Sequence, residues 1–95
     1  MLNEAKIKQA VEEFSKNPYW REFYEKAPSK NAKRRVALGF FWSETQDQNE
    51  AHEAMAEADK LEKSFGREEC EWFLKHSDLA QEKAYWKKKI NELSA

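Results

Sequence analysis

Ninety-five residues make one domain, 1–95, with no room for two cores. Forty per cent are apolar and 37% charged, yet thirteen are aromatic and only two each are Gly and Pro. That excludes a disordered chain, because such chains are aromatic-poor. A net charge of −1 gives no global pull toward nucleic acid or an anionic membrane, and a single cysteine, Cys70, excludes an internal disulfide framework.

The first helix is predicted within residues 2–16. Ile7, Ala10, Val11 and Phe14 follow the i, i+3, i+4, i+7 spacing of one helical face. The opening residues Leu2 to Lys6 carry charge and no long apolar run, so the expectation is a cytoplasmic chain without a secretory signal. Asn17-Pro18 interrupts, as a cap and a first helical residue. The second helix runs from Pro18 to about Ala27 and carries Tyr19, Trp20, Phe23 and Tyr24 on one broad face. Pro28 biases Ala27 away from the α region, and Ser29 caps the third helix, about Lys30 to Thr45.

This third helix is the predicted centre. Val36 to Trp42 is a run of seven residues without a charged or strongly polar side chain. Val36, Gly39 and Phe40 fall on one side, with Leu38, Phe41 and Trp42 on the other. A helix apolar nearly all round belongs at the middle of a domain or in an interface, and seven residues are far too few to span a bilayer. Gly39 costs about 1 kcal/mol relative to Ala. The expected compensation is burial, with a neighbouring ring or backbone packed close.

Gln46 to Asn49 reads as a loop, with Asn49 a cap for a fourth helix from about Glu50 to Phe65. Its apolar stripe is Ala51, Ala54, Met55, Ala58, Leu61 and Phe65, and Gly66 follows in the C′ position. Arg67 to His76 forms a fifth helix with Cys70, Phe73 and Leu74 inward. Asp78-x-x-Gln81 resembles a capping box for a sixth, about residues 79–93, with Leu79, Trp86, Ile90 and Leu93 as its stripe. No segment alternates with period two, and no repeat or long linker occurs. The predicted architecture is all-α: five or six short helices around an aromatic core, with the helix at about 30–45 central.

Charge is segregated. Glu44 to Glu71 holds ten acids against three bases, a local −7, and the remainder carries +6. The acids Glu50, Glu53 and Glu57 step along the fourth helix. Lys30, Lys33, Arg34 and Arg35 open the third. Mutual pairing of the two helices is one account of this layout. A docking face for a basic partner is another, and a basic helix start reading phosphates is a third.

Chemistry is sparse. Neither His52 nor His76 has a second His or a Cys at metal-ligand spacing, so no metal or cofactor site is expected. Cys70 lies on an apolar face between Glu69 and Glu71, an environment that suppresses thiolate formation. There is no Gly-rich phosphate loop and no nucleophile motif, so no catalytic residue is assigned.

The aromatics come in adjacent pairs: Tyr19-Trp20, Phe23-Tyr24, Trp72-Phe73 and Tyr85-Trp86, with Phe40-Phe41-Trp42. Helical neighbours point about 100° apart, so both members of a pair rarely enter one small core. At least two rings among Tyr19, Trp20, Phe41, Trp42, Trp72 and Tyr85 are predicted to stay exposed in one patch bordered by the acids of the fourth helix. The favoured function is a non-enzymatic protein-interaction module using Tyr19, Trp20, Trp42, Trp72, Glu50, Glu53 and Glu57. It would act as an adaptor, or as an inhibitor of the kind a phage or mobile element encodes. A homodimer would use the same patch, and no membrane partner is expected. The alternative is a nucleic-acid-contacting regulator using Lys30, Lys33, Arg34 and Arg35.

Overall fold

Side chains at the helix starts define the boundaries in a computed structural model, which describes residues 2–94. Its regular structure is six α-helices: α1 Glu4–Phe14, α2 Pro18–Glu25, α3 Lys30–Glu44, α4 Gln48–Lys63, α5 Arg67–His76 and α6 Ala80–Ser94. The carboxamide of Asn3 accepts the Ala5 and Lys6 N–H groups. Asn17 caps α2 through the Tyr19 N–H, and the Ser29 hydroxyl accepts from Ala32. Each such cap is worth about 0.5–2 kcal/mol over Ala.

Three predicted caps are corrected. The fourth helix opens on Asp47, not Asn49, because the Asp47 carboxylate accepts the Asn49 and Glu50 N–H groups and draws both into the first turn. Gly66 has φ −89°, so it is no left-handed C′ residue; it begins α5, and its N–H donates to Glu69 Oε1. The Asp78–Gln81 capping box does not form. Leu79 is the last residue before α6 and its carbonyl accepts the Lys83 N–H, leaving the Asp78 side chain outside the helix.

The α3 helix is central. It packs most extensively on α4 and α1, with α2 laid across it. Ala32, Val36, Ala37, Leu38, Phe40 and Phe41 are buried, so both of its sides are covered. Small residues at the crossings, Ala10 of α1 and Ala54 and Ala58 of α4, are also buried and let the backbones approach. Phe40 stacks on Phe14 at 4.3 Å between ring centroids.

α5 and α6 form a hairpin that packs chiefly on itself. It reaches the rest of the chain through long side chains. Phe65 and Trp86 both stack on Phe73, at 5.6 and 4.8 Å, and Phe23 meets Trp72 at 4.8 Å. These rings seat the hairpin against α2 and the segment after α4, and its backbone stands off from α3. The radius of gyration is 13.3 Å, near the ~13 Å of a folded 100-residue domain.

Three stripe positions are exposed instead of inward: Met55, Leu79 and Leu93. On α4 the crossing is carried by Ala54 and Ala58, which turns Met55 outward. Leu79 precedes its helix. Leu93 lies in the last turn of α6, a helix of 15 residues against a partner of 10, and so extends past α5. Gly39 is half-buried, not buried, and a Cβ built there meets only the end of Arg35, Nη1 at 3.4 Å. No internal packing of α3 requires this glycine.

Candidate functional site

The stand-off between the α5–α6 hairpin and α3 leaves an open groove of about 710 Å³, within the ~300–1,000 Å³ range of binding sites. Its floor is the side of α3 that carries Val36, Gly39, Phe40 and Ser43. One wall is α2 with Tyr19, Trp20 and Phe23. The other is the end of α5 and the start of α6, with Leu79, Glu82, Tyr85 and Trp86.

Packing fixes the rings. Trp20 stands edge-on to Phe14, Phe23 and Phe40, all at about 6 Å. That contact holds α2, a helix with no fully buried residue, onto α3. Tyr19, Leu79 and Tyr85 at the rim are 55%, 62% and 42% exposed. Among the described residues they are three of the five large apolar side chains left open, the others being Met55 and Leu93.

A buried carboxylate supports the far wall. The Glu62 side chain is 2% exposed. Arg35 Nε donates to Oε2 at 2.7 Å, the Tyr85 hydroxyl donates to Oε1, and Lys89 Nζ lies 3.6 Å from Oε1. Arg35 also lies over the Trp42 ring at 4.7 Å, and Lys89 over Tyr85 at 5.1 Å. Burial, and then the bond to the Glu62 carboxylate, push the Tyr85 hydroxyl well above its ordinary pKa. Among the described residues no buried side-chain N or O atom lacks a partner. The helical period held a signal for Glu62: Ala54, Ala58 and Glu62 step by four, and Phe65 follows three later. The predicted stripe took Leu61 instead.

The expected partner-binding residues divide. Tyr19, Trp20 and Trp42 line the groove together, and Phe41 is buried on the other side of α3. Trp72 lies behind the wall, against Phe23 and His76. The acids of α4 do not border the groove. Glu50 pairs with Lys6 at 3.2 Å, Glu57 pairs with Arg34 at 2.8 Å, and Glu53 shares their helix. The bordering acids are Asp78 and Glu82.

The basic cluster also separates, because successive helical residues point in different directions. Arg34 clamps Glu4 with two 2.6 Å bonds and reaches Glu57 as well, joining α1, α3 and α4. This holds the Glu4 carboxyl below its usual pKa. Arg35 faces Glu62. Lys30 and Lys33 border a second cleft of about 380 Å³ beside Lys8, with Lys33 above the Tyr24 ring at 5.9 Å.

Elements of catalysis are dispersed. Cys70 is buried, and burial pushes its thiol up. His76 Nδ1–H donates to the Trp72 carbonyl at 2.9 Å, which closes the last turn of α5, and His52 is exposed on α4. Among the described residues no three His, Cys, Asp or Glu side chains are grouped to hold a metal ion, and no helix is long and apolar enough to cross a membrane.

Fold and site together define an all-α helical bundle with an open aromatic groove between its central helix and a terminal hairpin. No protein-family model, curated protein or solved structure matches this chain.

Proposed function

We propose that this protein is a non-enzymatic interaction module that grips a segment of another protein in the aromatic groove. The carrying observation is the convergence of Tyr19, Leu79 and Tyr85, three of the five exposed large apolar side chains among the described residues, on the rim of one ring-lined concavity. Exposed apolar surface gathered in one place costs solubility and marks interaction sites. Trp and Tyr are also the residue types that dominate binding hot spots.

Glu50 and Glu57 are weaker candidates for contact, since their carboxylates already hold cations of this chain. The nucleic-acid reading loses most. Counterion release needs several cations free to meet phosphates. Of Lys30, Lys33, Arg34 and Arg35, both arginines are committed to internal carboxylates.

Site-specific photo-crosslinking in the source cells tests the proposal. A photoreactive residue at position 79 should give a discrete protein adduct that the same residue at position 93, exposed but remote from the groove, does not give. Equal labelling from both positions refutes it. Sedimentation at several concentrations separates a foreign partner from a second copy: a concentration-dependent dimer lost on Leu79→Asp assigns the groove to self-association.

A further inference from the structure

We infer that the segment held in the groove is an amphipathic α-helix with a basic edge, its apolar row seated over Gly39 and Ser43 and its cations beside Asp78 and Glu82. This rests on the interaction-module reading and specifies the partner it requires.

The helical conformation follows from the floor. α3 presents Gly39 and Ser43, four residues apart, where it faces the groove. Small residues one turn apart expose a strip of helix backbone, which another helix can approach closely. Gly39 is unexplained by the fold itself. It costs helix stability, and the space beyond it holds only the tip of Arg35. A partner helix lying along α3 supplies the neighbour that this chain does not. The walls suit such a guest, being themselves helices: α2 on one side and the first turns of α6 on the other. Among the described residues there is no strand, so no sheet edge is available for an extended peptide to join.

The charge follows from pairing. Among the described residues, the Lys or Arg side chain that lines the groove, Arg35, is held by Glu62. Asp78 and Glu82 make no ion pair among the described residues. The wall they stand on is therefore negative and open. Arg35 itself shows what the site does with a cation: its guanidinium rests on the Trp42 ring while a carboxylate holds its N–H. Lys or Arg side chains of a guest, with apolar stems and charged heads, match rings beside free carboxylates in the same way.

The test is a selection from a fully random 18-residue displayed peptide library against the intact protein, followed by solution titration of the selected peptides. The expected peptides carry large apolar residues at i, i+3 or i+4, and i+7, with Lys or Arg along one edge. Their affinity should fall at least tenfold on Asp78→Lys/Glu82→Lys and at least tenfold on Gly39→Leu. The melting temperature of the Gly39→Leu protein serves as the folding control. Should that variant melt low, Ser43→Leu at the exposed end of the floor replaces it. Selected peptides without helical spacing, or with an acidic edge, or indifferent to the charge reversal, overturn this inference. They leave the groove reading standing if Leu79→Asp still weakens them. Peptides indifferent to Leu79→Asp and Tyr19→Asp overturn the groove reading as well.

Discussion

Replacing Glu62 by Ala removes the one carboxylate that three α3 and α6 side chains share. Its side chain is 2% exposed, and its partners Arg35 and Lys89 are 20% and 26% exposed. Truncating one member of a buried ion pair costs about 3–5 kcal/mol, because the charge left behind keeps its desolvation penalty. Arg35 and Lys89 each retain some contact with water, which places the expected loss near the lower end, about 3 kcal/mol. For a domain of this size that lowers the melting temperature by roughly 12–24 °C, at ~4–8 °C per kcal/mol. Glu62→Gln keeps the shape and one acceptor, so its cost should be roughly 1.5–3 kcal/mol, the value of a charge-assisted hydrogen bond. Urea unfolding followed by Trp fluorescence measures both, with linear extrapolation to water. The double variant Arg35→Met/Glu62→Met should be destabilised by less than the sum of its single changes, since the Arg35 charge is no longer left unpaired and only Lys89, which keeps contact with water, loses its partner. A Glu62→Ala loss below about 1 kcal/mol, the range of an exposed pair, would refute the buried-clasp account.

Phe40→Ala should cost roughly 3–5 kcal/mol, since Phe40 is buried against Phe14; an unchanged melting curve would mean that α3 is not the centre. Gly39→Ala should stabilise the free protein by about 1 kcal/mol, because its Cβ meets nothing tighter than Arg35 Nη1 at 3.4 Å; a lower melting temperature would show hidden packing. The Tyr85 hydroxyl has a raised folded pKa, so it favours the folded state fully below its ordinary value of 10.0, and that contribution is lost as pH rises beyond it. Melting temperatures at pH 9 and 11 should fall less steeply for Tyr85→Phe than for the parent. The Glu4 carboxyl is depressed by Arg34, so its contribution is present above pH 4.5 and lost as pH falls below it. Glu4→Gln should flatten that acid limb slightly, as the pair is solvent-screened, and an unaltered limb would show that Arg34 gains nothing from Glu4.

Of the site, four rings, Tyr85 among them, were legible in the order of residues and the frame around them was not. Tyr19-Trp20 and Trp42 announce themselves because adjacent rings on a helix cannot share one small core. The acids that border them were misassigned to α4. Helix 4 is dense in Glu, but density says nothing of which carboxylates meet cations of the same chain, and Glu50 and Glu57 do. Asp78 and Glu82 stand at the groove because the α5–α6 turn carries them there.

The linear chain by itself determined the all-α class, the positions of six helices to within a few residues, and the centrality of residues 30–45. These depend on local terms: caps, proline breaks and the 3.6-residue spacing of apolar side chains. Only the tertiary structure decided that Gly39 is half-buried beneath no more than the tip of Arg35, that Glu62 is buried where Leu61 was expected, and that Arg34 and Arg35 turn to opposite partners. Each of these depends on which helices lie alongside, and the seat of α5–α6 is set by contacts between residues far apart in the chain, Phe23 against Trp72 and Arg35 over Phe73 among them.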